Sequence, residues 1–160
     1  SCGIDDNGIK DLNLIELYVS DNKKITNVNH ITKLQILDAS EDCGIDDKCI
    51  KHLNLIELYA YNNPKIKNIN HMTNLRILDA SGKHCGIDDD CIKNLNLIEL
   101  YASDNSKIIN VNHMTNLQIL DASGKCGIND NGIKDLNLIK LNIYNNPKIT
   151  NINNIPKIEY

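Results

Sequence analysis

The residues of this chain best suited to chemistry come in matched sets. Cys2, Cys43, Cys85 and Cys126 each open a Cys-Gly-Ile-Asp/Asn-Asp run, and Cys49 and Cys91 follow six residues behind two of them. His30, His71 and His113 recur at one place in a second motif, where the fourth copy has Asn154. Asp5/Asp6, Asp46/Asp47 and Asp88/Asp89 are adjacent acid pairs. Such groups can bridge as disulfides, hold zinc or calcium, or share acid–base work. The spacings argue against each. Structural zinc favours C-x2–4-C, and the six-residue step within Cys43/Cys49 and Cys85/Cys91 is longer. The calcium-loop pattern of alternating Asp/Asn, Gly and a closing Glu is missing around the acid pairs. Asp also favours turns and helix N-caps, where it bonds neighbouring backbone, and that role is expected here. No Ser/His/Asp set, phosphate loop or dinucleotide fingerprint occurs, so the sequence offers no catalytic centre.

These sets recur because the chain does. "LNLIELY" opens at Leu12, Leu53 and Leu95, and "LNLIKLN" at Leu136, giving a period of 41 or 42 residues. Each period has two half-units. The first, A, reads Leu14-x-x-Leu17-x-Val19-x-x-Asn22, then Ile25, Val28 and Ile31, and recurs from Leu55, Leu97 and Leu138. The second, B, reads Leu34-x-x-Leu37-x-Ala39, then the Cys-Gly-Ile-Asp-Asp turn and a closing Ile50-x-x-Leu53, and recurs from Leu75 and Leu117. Successive starts are 20 to 22 residues apart.

This pattern resembles the leucine-rich repeat, L-x-x-L-x-L-x-x-N/C-x-L in units of about 20–29 residues, and the resemblance covers nearly the whole chain. The B return arm, as in Ile4 to Leu12 and Ile128 to Leu136, is similar to the cysteine-containing subtype. The Asn-, Ile- and Lys-heavy wording, with "NVNHMTNL" and "CGIDD" repeated, resembles leucine-rich repeat proteins of giant amoeba-infecting viruses. The resemblance implies an α/β repeat solenoid: a leucine-rich repeat horseshoe with a parallel β-sheet on the concave face and 3₁₀, extended or short helical return arms on the convex face. It also implies protein binding, with no catalysis and no cofactor. One array is expected over 1–160, with a partial repeat at 1–13, full units from 14, 34, 55, 75, 97, 117 and 138, and an eighth unit cut short at 158–160. No polar cap marks either end, so an excerpt of a longer array is expected. The alternative function is a structural module stacking end to end.

Within such a stack, equivalent residues of alternate units stand about 10 Å apart, two strand spacings. Disulfides need Cα atoms within about 7 Å. The recurrent Cys residues therefore do not bridge one another, and the His residues cannot share one metal. All six thiols are expected to be reduced and buried, with Cys49 and Cys91 standing where Gly8 and Gly132 require something small. A Cys43–Cys49 bridge is sterically open but absent from two of the four arms by composition. The His side chains are expected to bond return-arm backbone, and Asn22, Asn63, Asn105 and Asn146 to satisfy the turn after each A strand. Ile25, Val28, Ile31 and Leu34, three apart, suit a 3₁₀ or polyproline-like arm.

The chain has no Phe or Trp and six Tyr, so the core must be layered branched aliphatics. A net charge of −4 argues against a nucleic-acid partner. No apolar run approaches the roughly 18 residues of a membrane span. Asn-x-Ser/Thr sequons are missing, and an intracellular setting is expected, in the cytoplasm of the producing or host cell or associated with the virion.

The outward strand positions carry the functional expectation. The central row reads Tyr18, Asp38, Tyr59, Asp79, Tyr101, Asp121, Asn142, and beside it stand Glu16, Ile36, Glu57, Ile77, Glu99, Ile119, Lys140. The third row is Ser20, Ser40, Tyr61, Ser81, Ser103, Ser123, Tyr144. Acid, Tyr and Ser together suit a basic protein partner. The competing expectation is that Tyr and Asp bond one another across strands. Lys24, Lys65 and Lys107 are expected on the convex side, where reversing their charge should matter little to a concave partner.

Overall fold

The computed structural model describes residues 3–152 and 155–159, so Cys2 and Asn154 lie outside the described residues. Eight strands form one parallel sheet in chain order: β1 (Glu16–Tyr18), β2 (Ile36–Asp38), β3 (Glu57–Tyr59), β4 (Ile77–Asp79), β5 (Glu99–Tyr101), β6 (Ile119–Asp121), β7 (Lys140–Asn142) and β8 (Lys157–Glu159). Every strand pairs with the next, and the chain is a repeat solenoid.

A three-residue strand is too short to stand alone. Here its neighbours extend the ladder past the strand ends: Val19 N donates to Asp38 O at 2.8 Å, Ala39 N to Tyr59 O at 2.8 Å and Ala60 N to Asp79 O at 2.8 Å. The register sets Leu17, Leu37, Leu58, Leu78, Leu100, Leu120, Leu141 and Ile158 in one inward row. Side chains alternate along a strand, so the residues on either side of each leucine face out. The eighth strand enters the sheet at Lys157 with Ile158 opposite Leu141. The last unit is thus already at its second inward position at 158, rather than starting there, because the preceding arm is shorter than the others.

The two return arms differ for a reason visible in their residues. The A arm advances in tight turns at the period of its apolar residues: Ile31 N donates to Val28 O and Leu34 N to Ile31 O, both at 3.0 Å. The B arm carries one four-residue helix each time: α1 (Asp6–Ile9), α2 (Asp47–Ile50), α3 (Asp89–Ile92) and α4 (Asp130–Ile133). The first acid of each pair is the N-cap; Asp46, for instance, accepts from Lys48 N and Cys49 N. Between sheet and arms lies a single column of buried Leu, Ile, Val, Ala, Met and Cys. After each of β1 to β7 the chain turns through a left-handed residue. Most are Asp or Asn, which tolerate that conformation; Gly82 takes the position at φ +95°, where a Cβ would also strike Asn62 Oδ1.

Candidate partner-binding face

The chemistry-bearing sets divide sharply by what they touch. The Asn ladder is interior. Asn63 is fully buried; its Nδ2 donates to Ala39 O at 2.8 Å and Ile45 O at 3.3 Å, while its Oδ1 accepts from Lys65 N at 2.8 Å. Asn105 and Asn146 repeat this on the turns before them, and Asn22 does so toward Ile4 O. Each Asn therefore ties its own turn to the preceding B arm.

The second acid of each pair reaches the other way along the stack. Asp6 accepts from Thr26 N at 2.7 Å, Thr26 Oγ1 at 2.6 Å and Asn27 N at 3.2 Å; Asp130 does the same for Thr150 and Asn151. Asp47 and Asp89 clamp the corresponding amides of the next A arm. These hydrogen bonds hold the Asp6 and Asp130 carboxyls below the usual carboxylate range, against a desolvation that for Asp6 is the largest single influence and for Asp130 the smallest. His30, His71 and His113 each place Nε2 on a B-arm carbonyl, Ile9 O at 3.1 Å, Ile50 O at 3.4 Å and Ile92 O at 3.1 Å. The expected backbone role of these residues is what the geometry displays.

The five described cysteines are free and buried. Cys43 donates to Ala39 O at 3.2 Å, beside the Asn63 amide, so thiol and amide cap one turn together. The Cys49 thiol lies 2.6 Å from Thr26 O and 2.9 Å from Asp46 Oδ1. Burial pushes Cys49, Cys85 and Cys126 up to about 11, and burial with an Asp88 contact pushes Cys91 to about 12. Thiols held protonated are poor nucleophiles and poor metal ligands. Among the described residues no three His, Cys, Asp or Glu side chains are grouped to hold a metal ion, and no helix is long and apolar enough to cross a membrane.

Two sets were not anticipated. Asn29 Nδ2 donates forward to Lys48 O at 2.7 Å and its Oδ1 accepts from His52 N at 3.1 Å; Asn70 does likewise with Asp90 O and Asn94 N. The N-x-N-H wording thus has one residue reaching forward and the next reaching back. Lys65 and Lys107 are tied into the neighbouring turn, because their ammonium groups donate to Cys43 O and Cys85 O, as Lys148 does to Cys126 O. In the turn itself, a Cβ on Gly86 would meet Ile66 O at 2.6 Å, so the Gly of Cys-Gly-Ile lets adjacent turns touch backbone to backbone.

The outward face of the sheet is built differently. Pairing places Tyr18, Asp38, Tyr59, Asp79, Tyr101, Asp121 and Asn142 in one row, and Glu16, Ile36, Glu57, Ile77, Glu99, Ile119 and Lys140 in the row beside it. Tyr61 and Tyr144 lie just past β3 and β7 and are exposed. Tyr and Asp do not bond across strands. Each Tyr hydroxyl instead donates to the Glu two residues earlier on its own strand, at 3.1 Å for Tyr18–Glu16 and 2.8 Å for Tyr59–Glu57 and Tyr101–Glu99. Each Asp accepts from the backbone two residues on: Ser40 N at 3.0 Å for Asp38, Ser81 N and Ser123 N at 2.9 Å for Asp79 and Asp121. An i to i+2 step keeps both groups on one face, which makes the intrastrand contact the shorter reach.

No family model matches the chain, and no curated protein matches it.

The electrostatics of the face follow from its spacing. Desolvation raises the Asp79 carboxyl above the usual range, opposed by the Ser81 amide and added to by Asp121 and Asp38. Desolvation and the Glu99 contact push Tyr101 up to about 12, and Tyr59 moves the same way. Alternation of Tyr with Asp keeps carboxylates two strand spacings apart in the central row. The pattern breaks at β7, where Lys140 pairs with Glu159 at 3.0 Å and Asn142 donates to Asp121 Oδ2 at 3.1 Å.

Proposed function

We propose that this chain is a leucine-rich repeat protein whose concave sheet face binds another protein, with no reaction catalysed. The carrying observation is the division just described. The Asn, Cys, His and paired-Asp sets are spent on bonds within the stack, whereas the registered rows of carboxylate and Tyr flank the buried leucines on the outward side of the sheet. Tyr18 at 62% exposed and Tyr144 at 58% give large, rigid contact area. Asp38, Asp79 and Asp121 with Glu16, Glu57 and Glu99 supply a field of one sign, and such a field selects a basic partner and speeds encounter. The family assignment is supported by the leucine spacing, the parallel three-residue strands and the buried Asn at the strand-end turn.

The test is affinity capture from cell extract with three baits, followed by titration of the captured protein. The second bait carries Asp38→Asn, Asp79→Asn and Asp121→Asn. Asn keeps the acceptor for the following amide, as Asn142 already does for Tyr144 N at 3.0 Å, so charge changes without loss of that bond. The third carries Asp11→Asn, Asp90→Asn and Asp135→Asn in the helical arms, the same change in net charge. Loss of a basic partner with the second bait alone supports the reading. Equal retention by all three would overturn it.

A further inference from the structure

The spacing of the face selects the shape of what it binds; this inference rests on the partner-binding reading above. Like residues of the central row recur on every second strand, about 9.6 Å apart. A chain lying across the strands meets that repeat in few ways. An extended β-segment covers a similar distance in three residues, but its third side chain points to the opposite side. A polyproline II helix advances about 3.1 Å per residue with three residues per turn, so every third side chain returns to the same side after about 9.3 Å. Its backbone needs no hydrogen-bonded partner. That matters here because the amides and carbonyls of β2 to β6 are already paired on both sides within the sheet. Tyr59 and Tyr101 stand between the carboxylates, with Tyr18 beside Asp38 at the end of the row, and aromatic-lined surfaces are where Pro packs.

We propose that the partner presents a basic, proline-rich segment in polyproline II conformation, running across the strands with Lys or Arg at every third residue above Asp38, Asp79 and Asp121. The register between segment and solenoid, and not charge alone, then sets affinity. Two labelled twelve-residue peptides of identical composition test this by fluorescence anisotropy: one of four Lys-Pro-Pro triplets, the other with the same lysines collected in two pairs separated by runs of Pro. The triplet peptide should bind about tenfold tighter, the worth of two or three exposed ion pairs brought into register. With Asp38→Asn, Asp79→Asn and Asp121→Asn together, the difference between the peptides should vanish. Equal binding of both peptides to the wild-type chain, lost in the triple variant, would overturn the register while leaving the acidic face as the binding surface. Binding of neither at low salt would overturn both.

Discussion

Replacing Asn63 by Ala should destabilise this protein as much as deleting a core leucine. The side chain is fully buried, and its removal strips Ile45 O and Lys65 N of their side-chain partner; Ala39 O keeps the Cys43 thiol at 3.2 Å. An orphaned buried donor or acceptor costs about 1–3 kcal/mol, so two give about 2–6 kcal/mol, with the vacated volume on top. Asn22→Ala provides an internal comparison. Asn22 is 8% exposed and among the described residues its amide donates to Ile4 O alone, at 3.1 Å, so water can replace part of what is lost and the cost should be about 1–2 kcal/mol. Asn63→Asp separates bonding from volume. It keeps the acceptor for Lys65 N but turns an oxygen toward Ala39 O and Ile45 O, and should cost at least as much as Ala. Urea unfolding with unchanged slope is the assay. A loss below about 1 kcal/mol for Asn63→Ala, or equal losses at 22 and 63, would show that hydrogen bonds between turns do not hold the stack together.

Leu58→Ala should cost about 2–5 kcal/mol in the same assay, since Leu58 is fully buried with a strand on each side, whereas Tyr59→Ala should cost about 1 kcal/mol; equal losses would shift the strand register by one residue. The five described thiols should label slowly at pH 8 in the native state and at once on unfolding, as read by mass spectrometry; fast native modification of several would contradict their burial. Stability should fall as pH rises from about 9 through 11: Cys85 and Cys126 stay protonated in the fold up to about 11, while the unfolded thiols ionise near 9.0 and draw the equilibrium toward the unfolded chain. The limiting slope is about 1.4 kcal/mol per pH unit for each such thiol, and substituting Ala at both positions should flatten it.

Much of this architecture is written in the leucine spacing. The inward row from Leu17 to Leu141 and the two outward rows within the strands follow from the alternation of side chains once the half-units are aligned; the third row, expected to face out just past the strands, does so at Tyr61 and Tyr144 but is buried at Ser40, Ser81 and Ser123, because the chain has already begun its turn there. What resisted sequence reading is the long-range half of each polar contact. Asp6 and Asp5 look alike in sequence, yet one caps its own helix and the other clamps amides 20 and 21 residues away. Lys65 reads as a surface charge, but its ammonium finds Cys43 O 22 residues back. Tyr59 and Asp79 are neighbours across strands, and only side-chain reach decides that each bonds along its own strand instead. Recurrence could have flagged Asn29 and Asn70 as structural, since their positions vary as little as the leucines do, but not which direction along the stack each one bonds.

The proposed function makes the outward face of the sheet the working surface. Amide chemical-shift mapping with a short oligolysine peptide as probe tests it most directly, because the probe reports every acidic surface of the chain at once. Saturable shifts should be confined to β1 through β6 and the residues just after them, weakened by salt and lost with Asp38→Asn, Asp79→Asn and Asp121→Asn. Shifts concentrated on the helical arms, around Asp11, Asp90 and Asp135, with the strands unmoved, would contradict it.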